Sequence, residues 1–177
     1  MTLPRRPTPM FTALCRISVV VAALAGTASA DTLKVGDRLA ELDVAVDARG
    51  KPFKLKALKG KWLVVTVGAA WCKPCAKELP AWDKIAGAKA GKVTFISIAI
   101  DDEIADGKRF HDKLKLKNLL RVYMPNDKSS VGGNYGSDTM PTSFLADPQG
   151  VVRYVHKGFN SGDEKKLIAE IDKLVKP

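Results

Sequence analysis

Cysteine and histidine are both scarce in this sequence. Its 177 residues include three Cys and two His. Three cysteines are too few to hold together a small protein that depends on several disulfides. Hydrophobic residues make up 46% and charged residues 27% of the chain, which are values typical of a globular protein. A disordered or low-complexity chain is therefore disfavoured as well, and the few cysteines need a chemical explanation.

The first thirty residues contain no apolar run long enough to span a bilayer, which takes about 20 residues. They carry three arginines and no acid, an apolar stretch from Ile17 to Ala25 broken only by Ser18, and the small residues Ala28-Ser29-Ala30. This three-part pattern predicts a secretory signal peptide over residues 1–30, cleaved near Ala30. An uncleaved membrane anchor is the less favoured alternative.

The rest of the chain, residues 31–177, has no internal repeat and no long linker, so it predicts a single domain. Three of the 29 basic residues lie in the predicted signal peptide, so the formal charge falls from +10 to +7 when it is removed. The same cut leaves Cys72 and Cys75 as the remaining cysteines. An exported protein works where disulfides persist, and these two residues lie three positions apart.

The apolar pattern predicts an α/β fold with a mixed central sheet flanked by helices. Alternation over Leu42–Ala48, resumed at Phe53 and Leu55 after Arg49-Gly50, predicts an amino-terminal β-hairpin. Apolar runs predict two buried parallel strands joined by a helix. The predicted ranges of that unit are Trp62–Val67, Lys73–Lys89 and Val93–Ile100. The later predicted elements are a helix over about Glu103–Leu116, a strand over Leu120–Met124, a hairpin of Thr142–Ala146 and Val151–Lys157, and a helix capped by Asp163.

The sequence Trp71-Cys72-Lys73-Pro74-Cys75 falls where the first buried strand gives way to its helix. The positive end of a helix dipole lowers the pKa of a thiol there. Cys72 is therefore the predicted nucleophile, and the charge of Lys73 favours its thiolate. Cys75, one helical turn further on, is predicted to resolve the mixed disulfide.

Two alternatives compete with redox chemistry at this pair. A zinc site normally needs four ligands, and the sequence has no second Cys pair and two separate His, so no metal and no cofactor are expected. A purely structural disulfide that closes so short a loop would constrain little chain entropy. Exchange chemistry is the favoured interpretation.

Several segments together resemble one family of proteins. They are Val35-Gly36-Asp37, Gly60-Lys61-Trp62, AAWCKPCAKELP (Ala69 to Pro80), MPTSFLADPQG (Met140 to Gly150) and His156-Lys157-Gly158-Phe159. This pattern is similar to the TlpA/ResA branch of the thioredoxin fold, within the AhpC/TSA-like superfamily. The resemblance implies a periplasmic thiol-disulfide oxidoreductase that reduces protein disulfides and is reduced by a membrane thiol donor. A monomer is expected. Nucleic acid is not an expected partner.

The resemblance also assigns roles to residues outside the cysteine pair. Trp71 and Pro74 support the active site, and Met140-Pro141 is expected to be a cis peptide beside Cys72. The backbone and soft side chain of Met140 would then contact the substrate.

Glu78 matches the family's Cys-x-x-Cys-x-x-Glu-x-Pro pattern. A partly buried carboxylate beside the thiols would titrate high and could accept the proton of Cys75. The alternative is an exposed Glu paired with Lys. Classical thioredoxins instead carry an Asp on the preceding strand, at the position that Thr66 occupies here.

Three further patterns leave alternatives open. Cu(I) could be held by the two cysteines with Met140 or His156. Asp101-Asp102-Glu103 indicates a cation site or, more favoured, a helix N-terminus. Six basic residues between Arg49 and Lys61 occur without an acid. They indicate a solvated edge, with a docking face for an acidic partner or an anionic lipid surface as the alternative.

Overall fold

A six-stranded mixed sheet with helices packed against it forms the centre of the protein. The computed structural model describes residues 1, 32–125, 135 and 139–176. Residues 2–31, which include almost all of the predicted signal peptide, lie outside the described residues. The sequence before Met140 is rich in Gly and Asn and predicts a loop, and most of it also lies outside them. Within the described part of the chain, no helix is long and apolar enough to cross a membrane.

The sheet has the order β1-β4-β3-β2-β5-β6. β2, β3 and β4 are parallel to one another, whereas the pairs β1 with β4, β2 with β5 and β5 with β6 are antiparallel. The predicted α/β fold with a mixed sheet is therefore confirmed. The elements in chain order are β1 (Val46–Asp47), a 3-10 helix (Leu55–Leu58), β2 (Trp62–Gly68), α1 (Lys73–Ala88), β3 (Val93–Ala99), α2 (Ile104–Lys113), β4 (Leu120–Tyr123), β5 (Thr142–Ala146), β6 (Val152–Lys157) and α3 (Asp163–Leu174).

The central strand β2 contributes side chains to two apolar clusters, one on each face of the sheet. Leu63, Val65 and Val67 belong to one cluster, and Val64 belongs to the other, which contains both cysteines and residues of α1. Side chains alternate between the faces of a strand. Thr66 and Gly68 therefore lie on the face that α1 covers, which brings β2 against the start of that helix.

The predicted amino-terminal hairpin is present in a shortened form. Its turn closes as the amide of Asp47 donates to the carbonyl of Lys51, and Val46 bridges to Pro52. Beyond Pro52, the amide of Phe53 donates to the carbonyl of Ala45, the last bond of this hairpin. The carboxylate of Glu41 then accepts hydrogen bonds from the amides of Leu55 and Lys56, so the chain enters a 3-10 helix where the pattern predicted a strand.

The predicted cap of the last helix is wrong by one residue. Gly162 is the N-cap of α3, with a φ of 98° that favours glycine. Asp163 is the first helical residue, and its carboxylate accepts a hydrogen bond from the amide of Asn160 and from Lys166. An acidic side chain in the first turn is favourable because of the helix dipole. Asp163 therefore stabilises the same helix end from inside it.

Candidate active site

The two cysteines form a disulfide at the N-terminus of α1. Cys72 is the N-cap residue, and its sulfur lies 3.2 Å from the amide nitrogen of Cys75, which donates to it. Cys72 is 5% exposed and Cys75 is fully buried. The order of burial agrees with Cys72 as the sulfur that a partner reaches first. The helix N-terminus offers that sulfur unpaired N–H groups and a partial positive charge.

The other residues of the motif surround the disulfide on its solvent side. Lys73 and Pro74 are exposed in the first turn of α1, where proline is tolerated because no helical hydrogen bond is lost. Trp71 is 63% exposed and lines a cleft with Ala70 and Phe110. An exposed indole next to the reactive sulfur offers a large apolar contact surface to a partner protein.

Met140-Pro141 is a cis peptide, as predicted. It directly precedes β5, whose first residue, Thr142, pairs with Val67 near the end of β2. Met140 is half-buried and packs against the apolar cluster that contains both cysteines. The structure therefore brings this loop and the Cys pair to the same end of the sheet.

Glu78 is fully buried one helical turn after Cys75. Thr66 donates a hydrogen bond to Oε2 at 2.7 Å, and Ser143 donates to Oε1 at 3.0 Å. Burial raises the pKa of Glu78 to about 8, the two hydrogen bonds oppose this shift, and the negative charge of Asp163 adds to it. The alternative of an exposed Glu paired with Lys is wrong.

Two residues of this buried polar group have no counterpart in the sequence prediction. Ser143 lies on β5 beneath α1 and contacts Glu78, and the indole N–H of Trp82 donates to the Ser143 hydroxyl at 2.9 Å. A serine within a strand of apolar residues is a weak indication of a buried polar contact, because a buried hydroxyl needs a hydrogen-bond partner. Its contact with a helix residue 65 positions away is not visible in any local pattern.

Asp101 has a role that neither sequence alternative described. It is 3% exposed, and its Oδ1 accepts a hydrogen bond from the amide of Ala70 at 2.8 Å. The cap of α2 is Glu103, whose side chain makes no capping bond. Burial raises the pKa of the Asp101 carboxyl. Asp101 thus connects the end of β3 to the turn that carries Trp71 and Cys72.

His156 contacts Asp163 and Trp82. Its Nε2 lies 3.2 Å from Oδ2 of Asp163, and its ring contacts the ring of Trp82 edge-on. Among the described residues, no group of three or more His, Cys, Asp and Glu side chains is placed to share a metal ion. The Cu(I) interpretation therefore finds no assembled set of such ligands in the part of the chain that the structure describes.

Comparison with known proteins agrees with this geometry. The sequence pattern of the AhpC/TSA family matches residues 35–155. The chain belongs to the AhpC/TSA family. Two relatives are proteins named thiol-disulfide oxidoreductase ResA. That of Bacillus thuringiensis strain Al Hakam is 35% identical over 111 residues, which span 62% of each chain. That of Bacillus cereus strain ZK is 32% identical over 133 residues, which span 74% of this chain and 73% of the relative.

The solved structure of another protein has the same architecture as this AhpC/TSA family member. It is the thioredoxin domain of a thiol-disulfide oxidoreductase from Bacteroides vulgatus, with a TM-score of 0.68 and 25% identity, and the match covers 82% of this chain and all of that domain. The thioredoxin-like fold is therefore confirmed. The family member described here is a thiol-disulfide oxidoreductase, as its Cys pair predicted.

Proposed function

We propose that this oxidoreductase is exported and that it reduces disulfides of partner proteins through Cys72 and Cys75. The observation that carries this proposal is the placement of the Cys72 sulfur as the N-cap of α1, with Cys75 buried behind it. A helix N-terminus stabilises the thiolate of the residue that attacks. Cys75 then has access to Cys72 from within the protein.

The exchange begins from the dithiol form. The Cys72 thiolate attacks one sulfur of the partner's disulfide, which forms a mixed disulfide and releases the partner's other sulfur as a thiolate. Cys75 loses its proton and attacks the Cys72 sulfur, which releases the second partner thiolate and forms the Cys72–Cys75 disulfide. Two electrons pass from the pair to the partner, and a membrane thiol donor returns the pair to the dithiol form.

Glu78 is the proposed acceptor of the Cys75 proton. It lies three residues after Cys75 on α1, a spacing at which helical side chains are neighbours. A pKa of about 8 means that both the acid and the carboxylate are populated near neutral pH. A group with such a pKa can take up a proton from a thiol and release it again without a large energetic cost.

Met140 and Trp71 are the proposed contacts for the partner. Met140 lies against the cysteine cluster, and Trp71 presents an exposed indole beside Cys72. Both side chains offer apolar, adaptable surface without a fixed charge pattern. Such a surface suits partner proteins that each have a disulfide but differ in the sequence around it.

Export rests on the signal-peptide pattern of residues 1–30, with residues 31–177 as the working domain in the periplasm. The protein is proposed to act as a monomer.

Turbidimetric reduction of insulin tests the function. In the presence of dithiothreitol, the parent should accelerate insulin precipitation and Cys72→Ser should not.

Cys75→Ser should accumulate a mixed disulfide on Cys72, from which the natural partner is identified after export. Lys165→Gln, an exposed change on α3, is the matched control. A Cys72→Ser protein as active as the parent in insulin reduction would contradict the proposal. Equilibration of the pair with glutathione buffers would measure its redox potential and show whether it works as a reductant or an oxidant.

A further inference from the structure

The end of the sheet that lies opposite the cysteines has a distinct charge. β2, β3 and β4 are parallel, so all three begin at one edge of the sheet. Cys72 follows the last residues of β2, so the redox pair lies at the other edge. β2 has seven residues, which at about 3.3 Å per residue separate the two edges by roughly 20 Å.

Exposed lysines surround the edge at which these strands begin. Lys61 directly precedes β2 and Lys92 directly precedes β3, and the register that pairs Trp62 with Val93 places the two lysines side by side. Further lysines come from the connections before β2 and β4 and from the end of α3. We call these six residues the basal face: Lys59, Lys61, Lys92, Lys115, Lys117 and Lys176. All six are exposed.

The helix directions bring the last of these lysines to the same edge. α1 and α2 end where they lead into β3 and β4, and the Lys89–Asp172 ion pair joins the end of α3 to the end of α1. Lysine near a helix C-terminus is favourable because of the helix dipole, and this explains part of the excess of lysines at this edge. It also applies to Lys59, the C-cap residue of the 3-10 helix, but not to Lys61, which directly precedes β2.

Acidic side chains at this edge are already engaged. Asp147 pairs with Arg153, Asp172 pairs with Lys89, and the Asp83 carboxylate accepts hydrogen bonds from the amides that precede β4. By contrast, none of the six basal lysines makes an ion pair within the described residues. The face therefore carries uncompensated positive charge spread over several connections rather than gathered in a pocket.

An apolar cleft opens between some of these lysines. Leu39, Leu58 and Leu63 line it, Lys59 and Lys61 lie at its edge, and its volume is about 180 Å³. The carboxylates of Glu41 and Asp147 also line it, but Glu41 accepts hydrogen bonds from backbone amides and Asp147 is paired with Arg153. The first described segment of the chain enters the fold beside it, where the amide of Leu39 donates to the carbonyl of Gly150.

We propose that the basal face docks on an anionic phospholipid surface and that the redox pair then points away from the membrane. Phosphate groups would lie among the lysines, each lysine contributing to a long-range attraction. A membrane is favoured over an acidic protein because the charge is spread over a broad face, and because apolar side chains lie next to it, as acyl chains lie beneath phosphates. In this orientation the membrane thiol donor of the proposed function would reach the pair through a part that projects from the membrane, because the cysteine edge lies roughly 20 Å above the basal face.

Vesicle sedimentation tests the proposal with the protein as it is isolated from the producing cell. Vesicles of phosphatidylcholine alone are compared with vesicles that also contain phosphatidylglycerol, at low and high salt. Lys61→Gln/Lys92→Gln should weaken binding to the anionic vesicles by about 30-fold, the product of two lysines near the surface. Lys77→Gln/Lys165→Gln removes the same charge from exposed positions near the cysteine edge and should weaken binding far less.

The orientation has its own measurement. Alkylation of the reduced Cys72 by iodoacetamide should proceed at the same rate with and without bound anionic vesicles, because the sulfur faces away from the lipid. Equal weakening by the two double variants would overturn the proposal, since binding would then follow net charge alone. Binding to polyglutamate without binding to anionic vesicles would overturn the lipid assignment, and slowed alkylation on vesicles would overturn the orientation.

Discussion

Gly68 lies directly against Cys75. A Cβ atom on Gly68 would come within 2.9 Å of the Cys75 sulfur and 3.2 Å of its Cβ. The last residue of β2 therefore has to lack a side chain for the helix to start where it does. The same contact sets the depth at which Cys75 is buried beneath Cys72.

Gly68→Ala should destabilise the oxidised protein by about 1–3 kcal/mol, the usual cost of inserting a methyl group into a packed site. Urea unfolding with the disulfide intact and with it reduced measures the cost. In a Cys75→Ala background the sulfur is gone, so the penalty of Gly68→Ala should fall in the corresponding double-mutant cycle. An equal penalty in both backgrounds would show that the sulfur is not the obstructing atom.

Stability should fall as the pH rises through the titration of Glu78. Its pKa is about 8 in the folded protein against an ordinary value of 4.5, so the folded state holds a proton that the unfolded state releases in that interval. The resulting contribution is complete below pH 4.5 and lost as the pH approaches 8. By pH 7 the loss amounts to about 3 kcal/mol.

Glu78→Gln should remove this slope, because the amide does not titrate and can keep both hydrogen-bonding contacts. Urea unfolding of the disulfide form between pH 5 and pH 8, values that bracket most of the titration, is the measurement. Glu103→Gln, at an exposed position, is the control and should keep the parent's slope. A slope that persists in Glu78→Gln must belong to another group.

His111 should produce a second loss of stability, on the acidic side. Its ring is buried against Ser97, whose Oγ lies 3.0 Å from Nε2, and burial lowers the pKa of His111 to about 4. When the pH falls below 6.5, the ordinary pKa of histidine, His111 takes up a proton in the unfolded state but not in the folded state. This contribution to the free energy of unfolding falls by about 3 kcal/mol as the pH drops from 6.5 to 4. Between pH 4.5 and 6.5 it opposes the contribution of Glu78, so the two nearly cancel in the parent. In a Glu78→Gln background the acidic loss should therefore be visible, and adding His111→Leu should flatten it in a urea titration extended to pH 4.

Asp101→Ala should loosen the turn that carries the reactive cysteine. The change removes the acceptor of the Ala70 amide and should cost about 0.5–1.5 kcal/mol, the net worth of an ordinary hydrogen bond, because Ala70 is exposed and its amide can turn to water. Increased mobility of Trp71, measured by fluorescence anisotropy, would separate this effect from a general loss of stability. Asp101→Asn keeps an acceptor oxygen and should restore much of the Trp71 signal; failure to do so would mean that the hydrogen bond is not what holds the turn.

The parts of the fold that local sequence patterns control were predictable. The apolar runs of β2 and β3 and the Cys-x-x-Cys motif at a helix start are short-range features, and the structure has them within one or two residues of the predicted ends. The amino-terminal hairpin is shorter than predicted because Glu41 binds the amides of Leu55 and Lys56, where the chain turns into a 3-10 helix.

The parts of the site that depend on distant contacts were not predictable. Ser143 meets Glu78, and Asp101 meets Ala70, across separations of 65 and 31 residues. Nothing in the neighbourhood of either residue in the sequence specifies the partner, because strand pairing and helix packing decide it. The resemblance to a family supplied Glu78, and the sheet supplied the hydroxyl groups around it.

The bond from Trp82 to Ser143 favours one oxygen of Glu78 as the site of its proton. An indole N–H can only donate, so the Ser143 oxygen accepts from it and the single hydroxyl hydrogen of Ser143 points at Oε1. A proton on Oε1 would donate to the second lone pair of Ser143 and turn that hydroxyl hydrogen away from the carboxyl, where the described residues offer it no other acceptor. Protonation at Oε2 keeps the Ser143 contact, and the Thr66 hydroxyl then rotates from donor to acceptor each time the carboxyl is protonated.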